Sequence, residues 1–210
     1  GEFKPLHQLN PLRLGLFAQR AELGGARALD VGCGGGLLSE ALARSGASVT
    51  GIDMAPGPLA VARLHQQQSD LTTIQYLERT AESLAAEQPA HFDIVTCMEV
   101  IEHVPDPVSL VQACGALARP GGHVFVSTLN RTVKAYALAI VGAEYVMNML
   151  PKGTHEYEKF IKPSELRQWG RRAGLHFGAV AGISYRPLSR DFVLSADVDV
   201  NYLMHFTKPA

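Results

Sequence analysis

Apolar residues gather in short runs at positions 26–31, 47–52, 73–77, 92–97 and 123–128, each bounded by glycine, proline or polar residues. Runs of that length and aliphatic content predict strands. Between most of them lie helical patterns, over 37–44, 58–68, 81–87 and 107–118. This alternation predicts a mainly parallel sheet with helices on both faces. Segments 174–185 and 198–207 read as two last strands with no ordinary helix between them, hence as an antiparallel pair at one edge. The expectation is an α/β, Rossmann-like fold of seven strands, mainly parallel with an antiparallel edge strand, in one domain over residues 1–210.

Two pieces stand outside the alternation. One is an N-terminal helical segment, about residues 1–24, with its helix near 12–23; the other is an insertion at about 131–162, ahead of a helix over 163–173. Insertions at strand ends usually build substrate pockets.

Composition adds exclusions. The chain has 210 residues of 47% hydrophobic content, enough to bury roughly 70% of its unfolded surface in one core. Lys and Arg number 19 against 20 Asp and Glu, so no net field draws it to nucleic acid, and no nucleic-acid partner is expected. Cys33, Cys97 and Cys114 fit neither a zinc spacing nor a disulfide framework and point to a reducing compartment. No secretory signal is visible, but the chain opens Gly1-Glu2-Phe3 rather than with Met, so an upstream segment is expected to be missing and this absence carries little weight; the expected location is cytoplasmic, with the mitochondrial matrix left open.

The informative stretch is Leu29-Asp30-Val31-Gly32-Cys33-Gly34-Gly35-Gly36-Leu37, where the first strand gives way to a helix. Its glycines permit a tight turn and a close ligand approach. The spacing is GxGxG rather than the GxGxxG of dinucleotide sites. Asp30 would repel a pyrophosphate and suits a cationic sulfonium better. Asp53, ending Val49-Thr50-Gly51-Ile52-Asp53, stands where a carboxylate accepts hydrogen bonds from ribose hydroxyls. With Phe92 to Met98 and Ala118-Arg119-Pro120-Gly121-Gly122, these segments resemble the ordered motifs of class I S-adenosylmethionine-dependent methyltransferases. One departure is Arg79-Thr80-Ala81-Glu82 after the third strand, where that family often carries an acidic residue toward the adenine.

A closer resemblance runs through Gly1-Glu2-Phe3-Lys4-Pro5-Leu6-His7, Asn10-Pro11-Leu12-Arg13, Cys97 to Pro107, Ser127-Thr128-Leu129-Asn130-Arg131, Val141 to Tyr145, Pro151 to His155 and Val198-Asp199-Val200-Asn201-Tyr202. On these segments the chain resembles ubiquinone-biosynthesis O-methyltransferases. The resemblance implies S-adenosylmethionine as cofactor, with Arg13, Gly32, Asp53 and Met98 in contact with it, joined by Asp30 and Gly34 of the loop. Arg13 also has a reason of its own, since a guanidinium pairs bidentately with a carboxylate such as the cofactor's. It further implies a polyprenylated phenol or quinol as substrate, methylated as a catechol early in the pathway and as demethylubiquinol late, and a setting within a quinone-biosynthesis assembly.

The chemistry is in-line methyl transfer from sulfur to a phenolic oxygen, mostly a matter of positioning. A phenol of pKa near about 10 is neutral at physiological pH, so a base or metal would raise its phenolate fraction. Glu99, Glu102 and His103 stand at i, i+3 and i+4, which would place them on one side of a helical turn as ligands for a divalent cation. The residue types leave the metal open; the resemblance implies Mg2+. His103 is alternatively the base that takes the proton, with His155 a second candidate.

Within 133–150 the strongly polar side chains are Lys134, Glu144 and Asn148, which share roughly 80° of a helical arc. A span needs about 20 apolar residues, so this segment reads as an interfacial helix, a pocket lid or an ordinary buried helix. Arg131, Lys134, Lys152, Lys159 and Lys162 could meet anionic headgroups, making the protein peripheral on an inner membrane through 131–162. The rival functions are methyl transfer to another small acceptor and a catalytically silent quinone- or lipid-binding subunit.

Overall fold

The computed structural model describes residues 4–135, 157–186 and 191–210. Eight strands form one sheet in the order β3-β2-β1-β4-β5-β8-β6-β7. They are β1 (Arg27–Val31), β2 (Ser48–Asp53), β3 (Ile74–Glu78), β4 (Phe92–Met98), β5 (Ala118–Leu129), β6 (His176–Arg186), β7 (Asp191–Ser195) and β8 (Asn201–Thr207). The first five run parallel; β8 lies antiparallel between β5 and β6, and β7 pairs antiparallel with β6 at the edge.

Seven strands were expected, and the additional one is β7. Its five residues alternate neither in polarity nor in burial, so an edge strand that packs only halfway carries no period-2 signal. The 174–185 and 198–207 segments do pair antiparallel, as β6 and β8, in register from His176↔Thr207 to Ile183↔Asn201.

The helices are α1 (Lys4–Ala18), α2 (Leu37–Arg44), α3 (Pro56–Gln68), α4 (Ala81–Glu87), α5 (Pro107–Leu117), the short turn α6 (Val133–Ala135) and α7 (Pro163–Arg172). Strand side chains divide between two apolar layers. Leu29, Val95, Val124 and Met204 meet Leu84 of α4, Leu110 of α5 and Leu166 of α7. Ala28, Val49, Ile94 and Phe125 meet Phe17 of α1, Leu42 of α2 and Leu59 of α3 on the other face. Every residue of β4 except Asp93 is buried, as a central parallel strand sandwiched by helices requires.

α1 starts well before the expected 12–23 and carries Pro11 inside it. A proline is read most simply as a helix start, but here the burial of Leu9, Arg13 and Phe17, spaced four apart, places one continuous face on the sheet.

Positions 136–156 of the insertion lie outside the described residues, but both of its ends are anchored. Asn130 Nδ2 donates to Val198 O at 2.9 Å and Arg131 Nε to Phe160 O at 2.7 Å. Lys134 pairs with Asp197 and Asp199, Arg131 with Glu165, and Ile161 N donates to Leu129 O at 3.0 Å. The insertion therefore departs and returns beside the carboxyl ends of β5 and α7's start.

Candidate functional site

Parallel sheets bind ligands outside the carboxyl ends of their strands, near the point where strand order reverses. Here that point is β1, between β2 and β4, and the glycine loop follows it. Gly32 has φ +69°, and a Cβ there would come within 2.2 Å of Val100 Cγ2, so both conformation and space demand glycine. Gly32 N and Cys33 N both donate to Ile52 O, at 2.8 and 3.0 Å, tying the loop to β2. Asp53 completes the tie: Oδ2 accepts from Gly34 N at 2.9 Å and Oδ1 from Ala55 N at 2.8 Å. Each carboxylate oxygen offers more than one lone pair, so capacity for further donors remains.

Asp30 is buried at the end of β1, under this loop. It is 2% exposed, with Oδ2 accepting from Ser39 Oγ at 2.7 Å and Oδ1 from Thr96 Oγ1 at 3.0 Å. Burial raises its pKa to about 6, against the pull of the two hydroxyls and of Arg13. Its described contacts pin α2 and β4 to the end of β1. The stretch Arg79-Thr80-Ala81-Glu82 is occupied locally: Thr80 Oγ1 caps α4 by accepting from Ser83 N, and Glu82 accepts from Ser109 Oγ.

The carboxyl ends of β4, β5 and the start of β8 form a second group. Met98, buried, ends β4, and Glu99 follows in the left-handed region at φ +56°. That conformation is uncommon for a non-glycine residue and marks a constrained position. Glu99 Oε1 accepts from Ser127 Oγ at 2.7 Å, Asn201 Nδ2 at 3.2 Å and Arg13 Nη2 at 3.4 Å. Glu102, 3% exposed, accepts from Thr128 Oγ1 at 2.8 Å and lies close enough to Glu99 to feel its charge. Burial first, and then the Glu99 charge, raise the Glu102 pKa to about 8. Burial lowers the Arg13 pKa against the charges of Glu99, Asp30 and Glu102. Arg13 Nε, Glu102 Oε1 and Asn201 Oδ1 are withdrawn from solvent without a hydrogen-bond partner among the described residues.

The expected metal set does not assemble. Glu99 and Glu102 come together, but His103 is exposed, and among the described residues no three His, Cys, Asp or Glu side chains converge on a point. The i, i+4 argument presumed a helical turn from Glu99 onward, whereas residues 99–106 form bends and turns and the helix begins only at Pro107. The three donors to Glu99 all meet its Oε1. His155 lies outside the described residues.

Sequence reasoning singled out Arg13, Met98, Glu99 and Glu102, which meet here, but gave no role to Ser127, Thr128 and Asn201. Small polar residues at successive strand ends were the available signal.

A family profile described as Methyltransferase domain matches residues 7–177. The chain is 56% identical over 207 residues to the ubiquinone biosynthesis O-methyltransferase of Stutzerimonas stutzeri, spanning 99% of this chain and 89% of that protein. It is 57% identical over 203 residues to the protein of the same name from Pseudomonas putida, spanning 97% of this chain and 87% of that one. The solved structure of magnesium protoporphyrin IX methyltransferase from Synechocystis with bound SAH matches at TM-score 0.69 and 16% identity, over 97% of this chain and 83% of that one. The cyclase SpnF matches at TM-score 0.71 and 18% identity, over 96% and 82%. At such identities the likeness is one of fold, which hosts more than one chemistry.

Proposed function

The chain belongs to the ubiquinone-biosynthesis O-methyltransferases, and from that premise we propose that it moves the methyl group of S-adenosylmethionine onto a phenolic hydroxyl of polyprenylated catechol and demethylubiquinol rings. The observation that carries this reading is the contact between Gly34 N and Asp53 Oδ2, which fixes a glycine loop and a ribose-binding carboxylate in one unit beside the Arg13–Glu99 group.

The cofactor lies across β2, β1 and β4 in this reading. Asp53 accepts from the ribose hydroxyls, the Gly32 and Gly34 backbone lets the cofactor approach closely, and Met98 borders the reacting end. Arg13, with Nε lacking a partner, holds the cofactor's carboxylate. Asp30 contributes from below as a positioning residue, and its buried charge favours a sulfonium above it.

The acceptor ring then occupies the β4, β5 and β8 ends. Transfer requires the phenolic oxygen in line with the sulfur–methyl bond, and holding that geometry supplies most of the acceleration. His103, on the exposed rim, takes the phenolic proton toward solvent, with His155 as the second candidate. The Glu99, Glu102 and His103 side chains as placed do not fit a divalent cation, so no step is assigned to one.

Among the described residues no helix is long and apolar enough to cross a membrane. A peripheral contact through 131–162 would bring polyprenyl tails to the acceptor side, because both ends of that insertion are anchored there. Arg131 and Lys134 are less suited to headgroups than the sequence indicated, since both are paired internally. Association with other quinone-biosynthesis enzymes is the corresponding expectation for partners.

The deciding experiment measures methyl transfer from S-adenosylmethionine to a short-chain prenyl catechol, before and after chelation and with Mg2+ restored. Product formed equally under all conditions fits the site as described. Product only with Mg2+ would require a rearranged Glu99–Glu102 pair, and cofactor binding without product would point to another acceptor or a silent subunit.

A further inference from the structure

β8 runs opposite to β5, so its first residue, Asn201, sits beside Leu129 at the same sheet edge as the carboxyl ends of β4 and β5. Asn201 Nδ2 donates to Glu99 Oε1 at 3.2 Å. An oxygen that already takes the Arg13 guanidinium is an acceptor, so the amide must present its nitrogen there and turn its carbonyl oxygen elsewhere.

That oxygen is buried and has no hydrogen-bond partner among the described residues. An unpaired buried acceptor is costly and calls for an explanation. The neighbouring hydroxyls cannot supply the missing donor: Ser127 is engaged with Glu99, Thr128 with Glu102 and Tyr202 with Ile161 O. A hydroxyl brought in by a ligand would satisfy it.

Resting on the functional reading above, we propose that Asn201 Oδ1 accepts a hydrogen bond from the ring hydroxyl vicinal to the reacting oxygen, and so selects an ortho-dihydroxy ring. The reacting oxygen must aim a lone pair at the methyl group and is a poor partner for an acceptor; the adjacent hydroxyl still carries its hydrogen. A ring lacking that hydroxyl leaves Asn201 unpaired. A quinone carbonyl there sets acceptor against acceptor, so the same residue discriminates the reduced ring from the oxidised one. Sites built around a buried polar partner reject analogues lacking it far more strongly than apolar pockets reject a missing methylene.

The test compares kcat/KM for a short-chain prenyl catechol and for the same ring with the vicinal hydroxyl replaced by hydrogen, in wild type, Asn201→Ala and Asn201→Ser. Wild type should prefer the diol, and either substitution should shrink that preference about 10–100-fold, carried mainly by the KM for the diol. S-adenosylhomocysteine binding confirms that each variant is folded, and the serine variant serves if alanine leaves the core too poorly packed. If Asn201 only steadies Glu99, both acceptors lose rate in proportion and the preference survives, which overturns the proposal. A wild type without any preference overturns it as well while leaving the function standing. A wild type that methylates neither ring removes the functional reading and this inference with it.

Discussion

The two halves of the sheet's carboxyl edge differ in how their anchoring groups are satisfied. On the β1–β2 side the groups that shape the loop are paired, Asp53 with Gly34 and Ala55, Asp30 with Ser39 and Thr96, Gly32 and Cys33 with Ile52, although Glu40 Oε1 and Tyr76 Oη beside it are buried without a partner among the described residues. On the β4–β5–β8 side the anchoring groups themselves, on Arg13, Glu102 and Asn201, each keep a buried atom unpaired among the described residues. A preformed cradle suits a cofactor of constant shape. Unpaired groups held in a dry site are specific for whatever completes them and cost stability until it arrives.

The largest effect that would break this comparison is on the preformed side. Gly32→Ala places a Cβ 2.2 Å from Val100 Cγ2 at φ +69°. Left-handed strain of about 1–2 kcal/mol and overpacking of about 1–3 kcal/mol should lower the unfolding midpoint and abolish measurable cofactor binding in calorimetry. Adding Val100→Ala should recover the overpacking part alone. Cofactor affinity that survives the single change would show that the loop is not rigid. Next in size, Asp53→Ala should weaken S-adenosylhomocysteine binding about 10–100-fold, the worth of a charge-assisted hydrogen bond or two. Ser127→Ala, in contrast, should act mainly on acceptor kcat/KM; equal effects on the cofactor Kd would erase the division between the halves.

The smallest effect sharpens the energetic side. With its pKa raised to about 8, folded Glu102 keeps a proton that the unfolded chain has lost above its ordinary 4.5, so stability falls as pH rises through that window. Asp30, at about 6, has largely finished titrating by pH 7, whereas His205, lowered to about 4 by burial and by His123, adds stability with rising pH until the unfolded imidazole has lost its proton above its ordinary 6.5. The Glu102 share is therefore read as a difference: between pH 6.5 and 8, Glu102→Gln should remove a decline of at most about 2 kcal/mol from the wild-type profile in chemical denaturation. An unchanged slope would place that carboxyl in contact with water.

The same division governs what could be read from sequence. The loop and Asp53 lie within one strand–helix–strand unit, and backbone rules connect glycine spacing to a ligand cradle without reference to the rest of the chain. The parallel core was legible for the same reason, each buried strand being an apolar run. The acceptor side brings Arg13 to Glu99 across 86 positions and Asn201 to Glu99 across 102, and no local period encodes such a meeting. Where a local rule was applied there, it assumed a helical turn over 99–103, but that stretch is built of bends and turns and the helix begins at Pro107. The seventh strand was missed because a half-buried edge leaves little pattern.

The stapled ends of the insertion matter beyond this one protein. Loop closure grows costly only slowly, by about 0.6 kcal/mol for each doubling of length, once its ends are held. With Arg131 and Lys134 clamped on one side and Phe160 and Ile161 buried on the other, the scaffold holds those ends. The intervening stretch can therefore lengthen, shorten or change composition over generations at little cost to the sheet. Such a scaffold is a ready starting point for grafting a different acceptor wall onto an unchanged methyl-donor cradle.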